Sequence, residues 1–442
     1  MRSPTALLLS TLTPLLLASL ACGRPPAEGE RPVAPLDEVA EAYVKLVLAV
    51  GRHDADYVDA YYGPEEWRAA AAAETIPLDE LRRRGEELIE RLRGIDAGGA
   101  ERLVVLRHRY LARQLGSLVA RVRMLSGERW SFDEESAALY DAVAPHHDEA
   151  HFAAVLDTLD RRLRQEGFDD GSLIERFDAF RADFVIPSDR LDAVFRAAID
   201  ACRERTARHL ELPPGESFVV EYVNDKAWSA YNWYQGGYHS LIQVNVDLPI
   251  YVDRAIDLAC HEGYPGHHVY NALLEKNLVR DRGWVEFSVY PLFSPQSLIA
   301  EGTANLGIEM AFPGDERLAF ERDVLFPLAG LDPERAALYY EIQALIDQLS
   351  YAGNEAARAY LDGEIDDAAA ADWLSRFAAM SPQRAEQRVR FFDQYRSYVI
   401  NYNLGQDLAR AYVERRAGDD PEARWRVFAD LLSSPRLPSD LR

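Results

Sequence analysis

The chain has 442 residues, of which 48% are hydrophobic, so it can bury a sizeable core as one large unit or as a few lobes. Acidic residues outnumber basic ones by 73 to 49, and the formal net charge is −24. A surface this acidic repels nucleic-acid phosphates and anionic lipid headgroups, so we expect no nucleic-acid partner. The three cysteines, Cys22, Cys202 and Cys260, are too few for a disulfide framework.

An apolar leader occupies residues 1–21 and begins with the positively charged Arg2. Its apolar run is shorter than the roughly 20 residues that a membrane-spanning helix requires, so we predict an export signal. The segment resembles a bacterial lipoprotein signal in which Cys22 becomes the acylated N-terminal residue. Residues 22–35 are rich in proline and glycine and predict a flexible tether. We expect an extracytoplasmic protein, in the periplasm or cell envelope, that contacts the membrane only through a lipid on Cys22.

Residues 36–212 show the apolar spacing of amphipathic helices and predict an N-terminal helical region. One stripe consists of Phe152, Val155, Leu156, Leu159 and Leu163. A histidine cluster at residues 146–151 precedes this stripe and could be a second metal site. We interpret it instead as a solvated helix start, where Asp148 favours the helix dipole.

A change to short apolar runs after Pro213 predicts a small antiparallel sheet. The predicted strands cover residues 218–223, 227–234 and 238–246, and Gly236-Gly237 makes the turn between the last two. The remaining chain returns to helical patterns, so we expect residues 213–442 to form a second region that contains the sheet and further helices.

Residues 259–268 read Ala-Cys-His-Glu-Gly-Tyr-Pro-Gly-His-His and contain three of the ten histidines and one glutamate within eight residues. Neutral imidazoles such as that of His261 bind Zn²⁺, and an adjacent carboxylate such as Glu262 can handle the proton of an activated water. Pro265 cannot donate a backbone hydrogen bond and Gly266 follows it, so we expect the helix to be broken or bulged at this point.

The second ligand of this motif is either His267 or His268. On an unbroken helix His268 shares a face with His261, whereas a two-residue bulge brings His267 to the position of an i+4 histidine. Helix geometry alone leaves both alternatives open.

The pattern His-Glu-x-x-Pro-Gly-His resembles the signature of a bacterial family catalogued as domain of unknown function 885. That family is similar to the gluzincin zinc metallopeptidases. The resemblance implies that His267 is the ligand and that His268 is its neighbour. Gluzincins take a third ligand from a later glutamate, and Glu301-Gly302 resembles the family's second motif. The implied zinc ligands are therefore His261, His267 and Glu301, with Glu262 as the catalytic acid and base.

Two residues are candidates to orient His261. Asn305 lies four residues after Glu301, where thermolysin-like enzymes carry an aspartate that binds a ligand histidine, and its amide oxygen can accept the same hydrogen bond. Asp257 lies four residues before His261 on the same helical face, where it either accepts that hydrogen bond or is solvated.

Candidate substrate contacts lie in two places, the C-terminal helices and the third predicted strand. Metallopeptidases often stabilise the oxyanion with a phenol, and the C-terminal helices offer Tyr398 and Tyr402, with Arg396 beside them to hold a substrate carboxylate. Zinc peptidases also pair a strand with the substrate backbone. The third predicted strand could do so through His239 and Asn245 on its polar side, or it could be an ordinary sheet edge.

The sequence thus predicts a mainly α (α+β) fold, a large helical metallopeptidase-like fold with a small antiparallel sheet beside the active-site helix. The predicted function is a zinc-dependent peptidase acting on peptide substrates. Two alternatives are an exported binding or scaffold lipoprotein with a structural metal site, and a metal-dependent hydrolase of a non-peptide amide.

Overall fold

A computed structural model describes residues 33–226 and 228–442. The predicted export signal, Cys22 and the tether up to residue 32 lie outside the described residues. The fold is mainly α-helical, as the sequence predicted, and contains two small sheets, of which the sequence predicted the three-stranded one. Within the described ranges, no helix has the length and apolar character needed to cross a membrane.

The N-terminal part consists of eight helices and one short strand. Their bounds are α1 Val33–Val50, β1 Val58–Tyr61, α2 Glu65–Ala73, α3 Leu78–Arg93, α4 Arg102–Leu125, α5 Phe132–Tyr140, α6 Glu149–Gln165, α7 Leu173–Ala182 and α8 Leu191–Ala207. Helix α6 begins as predicted, because the Asp148 side chain accepts a hydrogen bond from the His151 backbone N–H.

The three-stranded sheet contains β2 (Ser217–Val223), β3 (Ala230–Gly236) and β4 (His239–Asn245) in the order β2-β4-β3. The predicted turn at Gly236-Gly237 is present, and both glycines have positive φ, so β3 and β4 form an antiparallel hairpin. Strand β2, however, runs parallel to β4. The prediction of a wholly antiparallel sheet is therefore wrong, because the segment after β2 crosses over the end of β4 before β3 begins.

The C-terminal part is helical apart from the short strand β5. Its α-helices and strand are α9 Asp253–Leu258, α10 His267–Leu274, β5 Val289–Pro291, α11 Pro295–Ala311, α12 Glu316–Phe320, α13 Phe326–Ala329, α14 Ala336–Asp347, α15 Ala352–Leu361, α16 Asp367–Phe377, α17 Pro382–Tyr395, α18 Ile400–Ala417 and α19 Pro421–Leu432. Between them lie π-helical turns at Ala259–Gly263, Glu275–Arg280 and Glu321–Leu325, and 3-10 turns at Val285–Ser288, Pro333–Arg335, Arg396–Val399 and Pro438–Leu441.

The N-terminal and C-terminal parts share one hydrophobic core. Strand β1 pairs antiparallel with β5, which lies more than 200 residues later in the chain. The buried guanidinium of Arg107 on α4 binds the buried carboxylate of Glu286, with 2.5 Å between Nε and Oε1. The predicted boundary between residues 212 and 213 falls in the loop between α8 and β2, and the regions on its two sides pack together.

Candidate metal centre

The helix that carries His261 widens into a π-helical turn before it ends. The Tyr264 backbone N–H donates to the Ala259 carbonyl at 3.1 Å, and that of Gly266 donates to the Cys260 carbonyl at 2.9 Å. A Cβ atom on Gly266 would lie 1.8 Å from the carbonyl oxygen of His261, so only glycine fits at this position. The helix restarts at His267, so the expected bulge is present, and of the two alternatives His267 is the residue that it places beside His261.

Three side chains converge beside this turn. The Nε2 atom of His261 lies 3.2 Å from Oε2 of Glu301, and Nε2 of His267 lies 3.7 Å from Oε1 of the same residue. The two imidazole rings stand at 89° to each other with their centres 4.6 Å apart. One ligand atom from each of the three residues lies within 4.8 Å of the others. His261, His267 and Glu301 can therefore hold a metal ion.

The donor set fits a divalent transition metal. Two imidazole nitrogens and one carboxylate oxygen are ligands that zinc accepts in catalytic sites. The Oε2 atom of Glu301 is buried and has no hydrogen-bond partner among the described residues, which is costly unless a cation lies beside it. The neighbouring Cys260 is buried next to Cys202 and is not part of the cluster.

The charges in the cluster shift the pKa values of Glu301 and His261 in opposite directions. Burial opposes ionisation of Glu301, but the imidazoles of His267 and His261 hold the pKa of its carboxyl well below the usual range. Burial opposes protonation of His261, yet the carboxylates of Glu301 and Glu262 raise its pKa to about 9. The carboxylates of Glu301 and Glu262 therefore favour positive charge beside His261, which a bound cation can supply in place of a proton.

Asn305 orients His261, as the sequence predicted. Its Oδ1 atom lies 2.9 Å from Nδ1 of His261, and its amide Nδ2 donates to the backbone carbonyl of Tyr402 at 3.0 Å. A donor at Nδ1 leaves Nε2 of His261 as the free lone pair that faces Glu301. An amide at this position can both accept from His261 and donate to Tyr402, which a carboxylate could not do.

Asp257 neither accepts a hydrogen bond from His261 nor has a carboxylate that is simply solvated. Its carboxylate forms ion pairs with Arg254 at 3.1 Å and with Arg317 at 2.8 Å. Asp257 is thus part of an ion-pair group that lines the same cavity as His261 and makes no hydrogen bond with that histidine.

His268 points away from the cluster. Its Nδ1 lies 2.9 Å from the Ser240 hydroxyl, and its Nε2 lies 3.0 Å from Oε2 of Glu216, where all three side chains are buried. The Glu216 carboxylate also accepts a hydrogen bond from Tyr264. The expectation that His268 supports the ligands as the neighbour of His267 is corrected, because both of its ring nitrogens face Ser240 and Glu216 and so join α10 to the three-stranded sheet.

Glu262 faces a cavity of about 1090 Å³ that the three ligands also line. The residue is buried, and the Asn232 side chain on β3 fixes its backbone by donating to its carbonyl oxygen at 2.7 Å. None of the described residues donates a hydrogen bond to the Glu262 carboxylate. This carboxylate is therefore held next to the cluster with its acceptor capacity unused.

The two predicted tyrosines occupy different places. The Tyr398 hydroxyl donates to Oε1 of Glu301 at 2.8 Å, so it positions a ligand. Both tyrosines line the cavity, with ring centres 5.8 Å apart, but the Tyr402 hydroxyl has no hydrogen-bond partner among the described residues. Burial, and then the charge of Glu301, raise the pKa of both phenols well above the usual value, so both hydroxyls remain donors.

Arg396 does not line the cavity. Its Nε donates to Oε2 of the buried Glu135 at 2.7 Å, and the backbone N–H and hydroxyl of Ser397 donate to the other oxygen of that carboxylate. The prediction that Arg396 holds a substrate carboxylate is corrected, because its charge is already neutralised. Arg396 and Glu135 instead fix the 3-10 turn that carries Tyr398.

Strand β4 also differs from its predicted role. It lies between β2 and β3, so both of its edges are already paired and cannot bind a substrate backbone. His239 is exposed, its Nδ1 lies 2.8 Å from the Ser217 hydroxyl, and it does not line the cavity. Asn245 does line the cavity, but its amide donates to the carbonyls of Lys226 and Trp228 and thereby holds the crossing segment.

Asp59 on β1 is a site residue that the sequence did not reveal. It lines the same cavity and accepts a hydrogen bond from the Tyr231 hydroxyl on β3. Burial, followed by the charges of Glu301 and Glu262, raises the pKa of its carboxyl to about 8. A lone aspartate about 200 residues before the motif carries no pattern, so only the pairing of β1 with β5 places it here.

Comparisons with known proteins show the fold alone. No protein-family model and no curated protein sequence match the chain. It is similar to the crystal structure of "the putative lipoprotein from Colwellia psychrerythraea", with a TM-score of 0.51 and 17% identity over 92% of this chain and 74% of that one. The chain is less similar to the structure of Trypanosoma cruzi metallocarboxypeptidase 1, with a TM-score of 0.43 and 12% identity over 90% of each chain. It is also less similar to "a putative lipoprotein of unknown function from Shewanella oneidensis", with a TM-score of 0.39 and 14% identity over 83% of this chain and 75% of that one.

Proposed function

We propose that this chain is a zinc-dependent peptidase that hydrolyses peptide bonds with an activated water. The observation that carries the proposal is the cluster of His261, His267 and Glu301, whose ligand atoms lie within 4.8 Å of one another beside Glu262 in a large cavity. A zinc ion held there would supply Lewis acidity, which polarises a carbonyl group and lowers the pKa of a water molecule.

Glu262 is the general base and acid in this proposal. Its carboxylate faces the cavity with no donor to stabilise its charge, which keeps it available to accept a proton from the attacking water. The same carboxyl group can pass that proton to the nitrogen of the leaving amine as the peptide bond breaks.

Tyr402 is the better placed of the two phenols to stabilise the developing oxyanion. Its hydroxyl makes no hydrogen bond with the described residues and opens onto the cavity, whereas that of Tyr398 is bound to Glu301. Because the pKa of Tyr402 is raised, its hydroxyl keeps the proton that an oxyanion needs. Tyr398 acts through Glu301 by holding that carboxylate in place.

Strand β3 replaces β4 as the candidate for pairing with the substrate backbone. It is an edge strand of its sheet, and its residues Ala230, Tyr231 and Asn232 line the cavity. An extended peptide could add to this edge and place its scissile bond beside Glu262.

The scaffold alternative is less well supported. A structural zinc site usually fills all four positions with protein ligands. His268, the nearest further histidine in the motif, is bound to Ser240 and Glu216, and the described residues provide only three members of the cluster. A metal with an open position favours catalysis.

The test compares zinc content and turnover in three proteins: wild type, Glu262→Gln and a control, Glu309→Gln. We expect the wild type to bind one zinc ion and to cleave members of a peptide library. Glu262→Gln should retain zinc and lose at least about two orders of magnitude in rate, because a general base contributes roughly 10²–10⁴-fold. Glu309 lines the same cavity but binds Gln406 and Arg410, so its variant should keep near wild-type turnover. An active Glu262→Gln variant would contradict the mechanism.

We further propose that the protein is exported and anchored by a lipid on Cys22. The apolar leader, the cysteine at its end and the proline- and glycine-rich tether support this. Detergent partitioning of full-length wild type and Cys22→Ser tests it: only the wild type should enter the detergent phase.

A further inference from the structure

Helix α17 carries two arginines without an anionic partner. Arg384 and Arg388 are four residues apart, so they lie on one face of the helix, and both line the cavity. Neither forms an ion pair or a hydrogen bond with the described residues, and the Nε atom of Arg388 is buried without a partner. Most arginines that line this cavity are neutralised, such as Arg181 by Asp178 and Arg254 by Asp257.

Aromatic rings surround the Arg388 guanidinium. Its Cζ atom lies 4.5 Å from the ring centre of Phe391 and 5.9 Å from that of Tyr402. Burial lowers the pKa of both Arg384 and Arg388, and the charges of Arg181 and Arg254 add to the lowering at Arg384, although Asp178 opposes it. Neither guanidinium has an anion within ion-pair distance among the described residues to offset its lost hydration. Two guanidinium groups that have no anion beside them among the described residues destabilise the cavity wall, and they can bind an anion that enters the cavity.

Arg388 lies close to the metal centre. The ring centre of Tyr402 lies 5.9 Å from Cζ of Arg388 and 5.8 Å from the ring centre of Tyr398, whose hydroxyl binds Glu301. Tyr402 is near both charges, since after burial the carboxylate of Glu301 raises the pKa of its phenol and the guanidinium of Arg388 lowers it. Tyr402 is therefore close both to Arg388 and to the cluster. A substrate that binds at the cluster can reach Arg388 within the same cavity.

We propose that Arg388, together with Arg384, binds a carboxylate of the substrate and so fixes which peptide bond reaches Glu262. This rests on the proposed peptidase function. A guanidinium matches a carboxylate because both are planar and can form two parallel hydrogen bonds. The carboxylate is either the C-terminus of the substrate, which would make the protein a carboxypeptidase, or an aspartate or glutamate side chain near the scissile bond.

The experiment uses the zinc-loaded full-length protein and matched sets of its best library peptide. One set compares the free C-terminal acid with the C-terminal amide, and the other compares Glu with Gln next to the cleaved bond, both with amidated ends. The variants are Arg388→Ala, Arg388→Met and Arg384→Ala. The matched control is Arg390→Ala, an exposed arginine on the same helix.

We expect Arg388→Ala to lower kcat/KM about 10- to 100-fold for the peptide that carries the recognised carboxylate and less than threefold for its neutral partner, since a charge-assisted hydrogen bond is lost. Arg390→Ala should leave both unchanged. A loss confined to the acid and amide pair identifies the C-terminus, and a loss confined to the Glu and Gln pair identifies the side chain. Equal effects on charged and neutral peptides would overturn the inference while leaving the peptidase function in place.

Two further measurements separate the possible failures. Arg388→Met removes an unpaired buried charge, so its melting temperature should equal or exceed that of the wild type, whereas a structural role for Arg388 predicts a fall. If the wild type cleaves no peptide, the proposed function fails. Calorimetric binding of the acid and neutral peptides to zinc-loaded Glu262→Gln then decides the inference: a preference for the carboxylate that Arg388→Met removes supports it, and no preference overturns it.

Discussion

Gly302 and Gly405 bring the backbones of α11 and α18 into direct contact. A Cβ atom on Gly302 would lie 2.3 Å from the carbonyl carbon and oxygen of Gly405, and one on Gly405 would lie 2.7 Å from the Leu298 carbonyl oxygen. Glu301 directly precedes the first glycine, and Tyr402 lies three residues before the second. This crossing therefore sets how closely a metal ligand approaches a cavity tyrosine.

Gly302→Ala should separate the two helices. The added methyl group meets backbone atoms that cannot rotate away, so we expect a loss of about 1–3 kcal/mol in the free energy of unfolding, together with weaker zinc binding. The control is Gly116→Ala in the middle of α4, where an added Cβ meets nothing within 4 Å. That variant should gain about 0.5–1 kcal/mol, because alanine is the better helix former. Urea denaturation and a zinc competition titration measure both quantities, and a neutral Gly302→Ala would show that the crossing can relax.

Replacing His261, His267, Glu301 and His268 one at a time should distinguish the proposed metal ligands from a residue that only stabilises the fold. His261→Ala, His267→Ala and Glu301→Gln should each lose zinc on dialysis, because a three-ligand site depends on every member. His268→Ala should keep zinc but lose about 1–3 kcal/mol of stability, since the buried Glu216 and Ser240 lose a hydrogen-bond partner. Metal analysis and thermal melting on the same samples give both readouts. Zinc loss from His268→Ala with retention in His267→Ala would reverse the assignment.

Arg396 and Arg388 should respond differently to removal. Arg396→Ala leaves the buried Glu135 without its charged partner and loosens the turn before Tyr398, so we expect a lower melting temperature and a reduced kcat. That loss should be the same for peptides with and without a carboxylate, because Arg396 lies outside the cavity. A carboxylate-specific rise in KM for Arg396→Ala would restore the role that the sequence suggested.

Glu321 should make stability depend on pH. Burial raises the pKa of its carboxyl to about 7, although Arg317, whose Nε donates to it at 2.9 Å, opposes the shift. The folded-state pKa exceeds the ordinary value of 4.5, so the protonated form favours folding. Its stabilising contribution is complete below about 4.5 and is lost as the pH rises through about 7. Glu321→Gln keeps an acceptor for Arg317 but cannot ionise.

The measurement for Glu321 is the free energy of unfolding of wild type minus that of Glu321→Gln at several pH values. This difference should fall between pH 5 and pH 8 by up to about 3 kcal/mol, because one pKa unit corresponds to about 1.4 kcal/mol. A difference that stays constant over this range would mean that Glu321 remains ionised in the folded protein.

The sequence predicted the local parts of the site well. Pro265 and Gly266 have backbone properties that forbid a regular helix, so the sequence alone predicts the bulge. The family resemblance singled out Glu301, and the spacing of four residues then put Asn305 one helical turn after it. What periodicity could not give was the second contact of Asn305, because the Tyr402 carbonyl comes from a helix almost 100 residues later.

The errors concern relationships between distant segments. Strand β4 has the alternation of an edge strand, but pairing partners decide whether an edge is free, and β2 covers it from the parallel side. Arg396 is adjacent in sequence to Ser397 and Tyr398, yet its partner Glu135 lies on α5. The sequence around an arginine does not show which carboxylate, if any, will pair with it. Arg388, which has no ion pair among the described residues, and Arg396, which pairs with Glu135, therefore look alike in the sequence.

The hydrogen bonds from Tyr398 to Glu301 and from Asn305 to Tyr402 also connect metal occupancy to the end of the chain. By thermodynamic linkage, a ligand that binds only the assembled cluster must slow every local opening that separates α18 from α11. Amide hydrogens of α18 should therefore exchange faster after chelation, while those of α3 should not change. If the cluster holds a metal as proposed, loss of that metal should expose α18 to proteases, so metal supply would affect the lifetime of the protein.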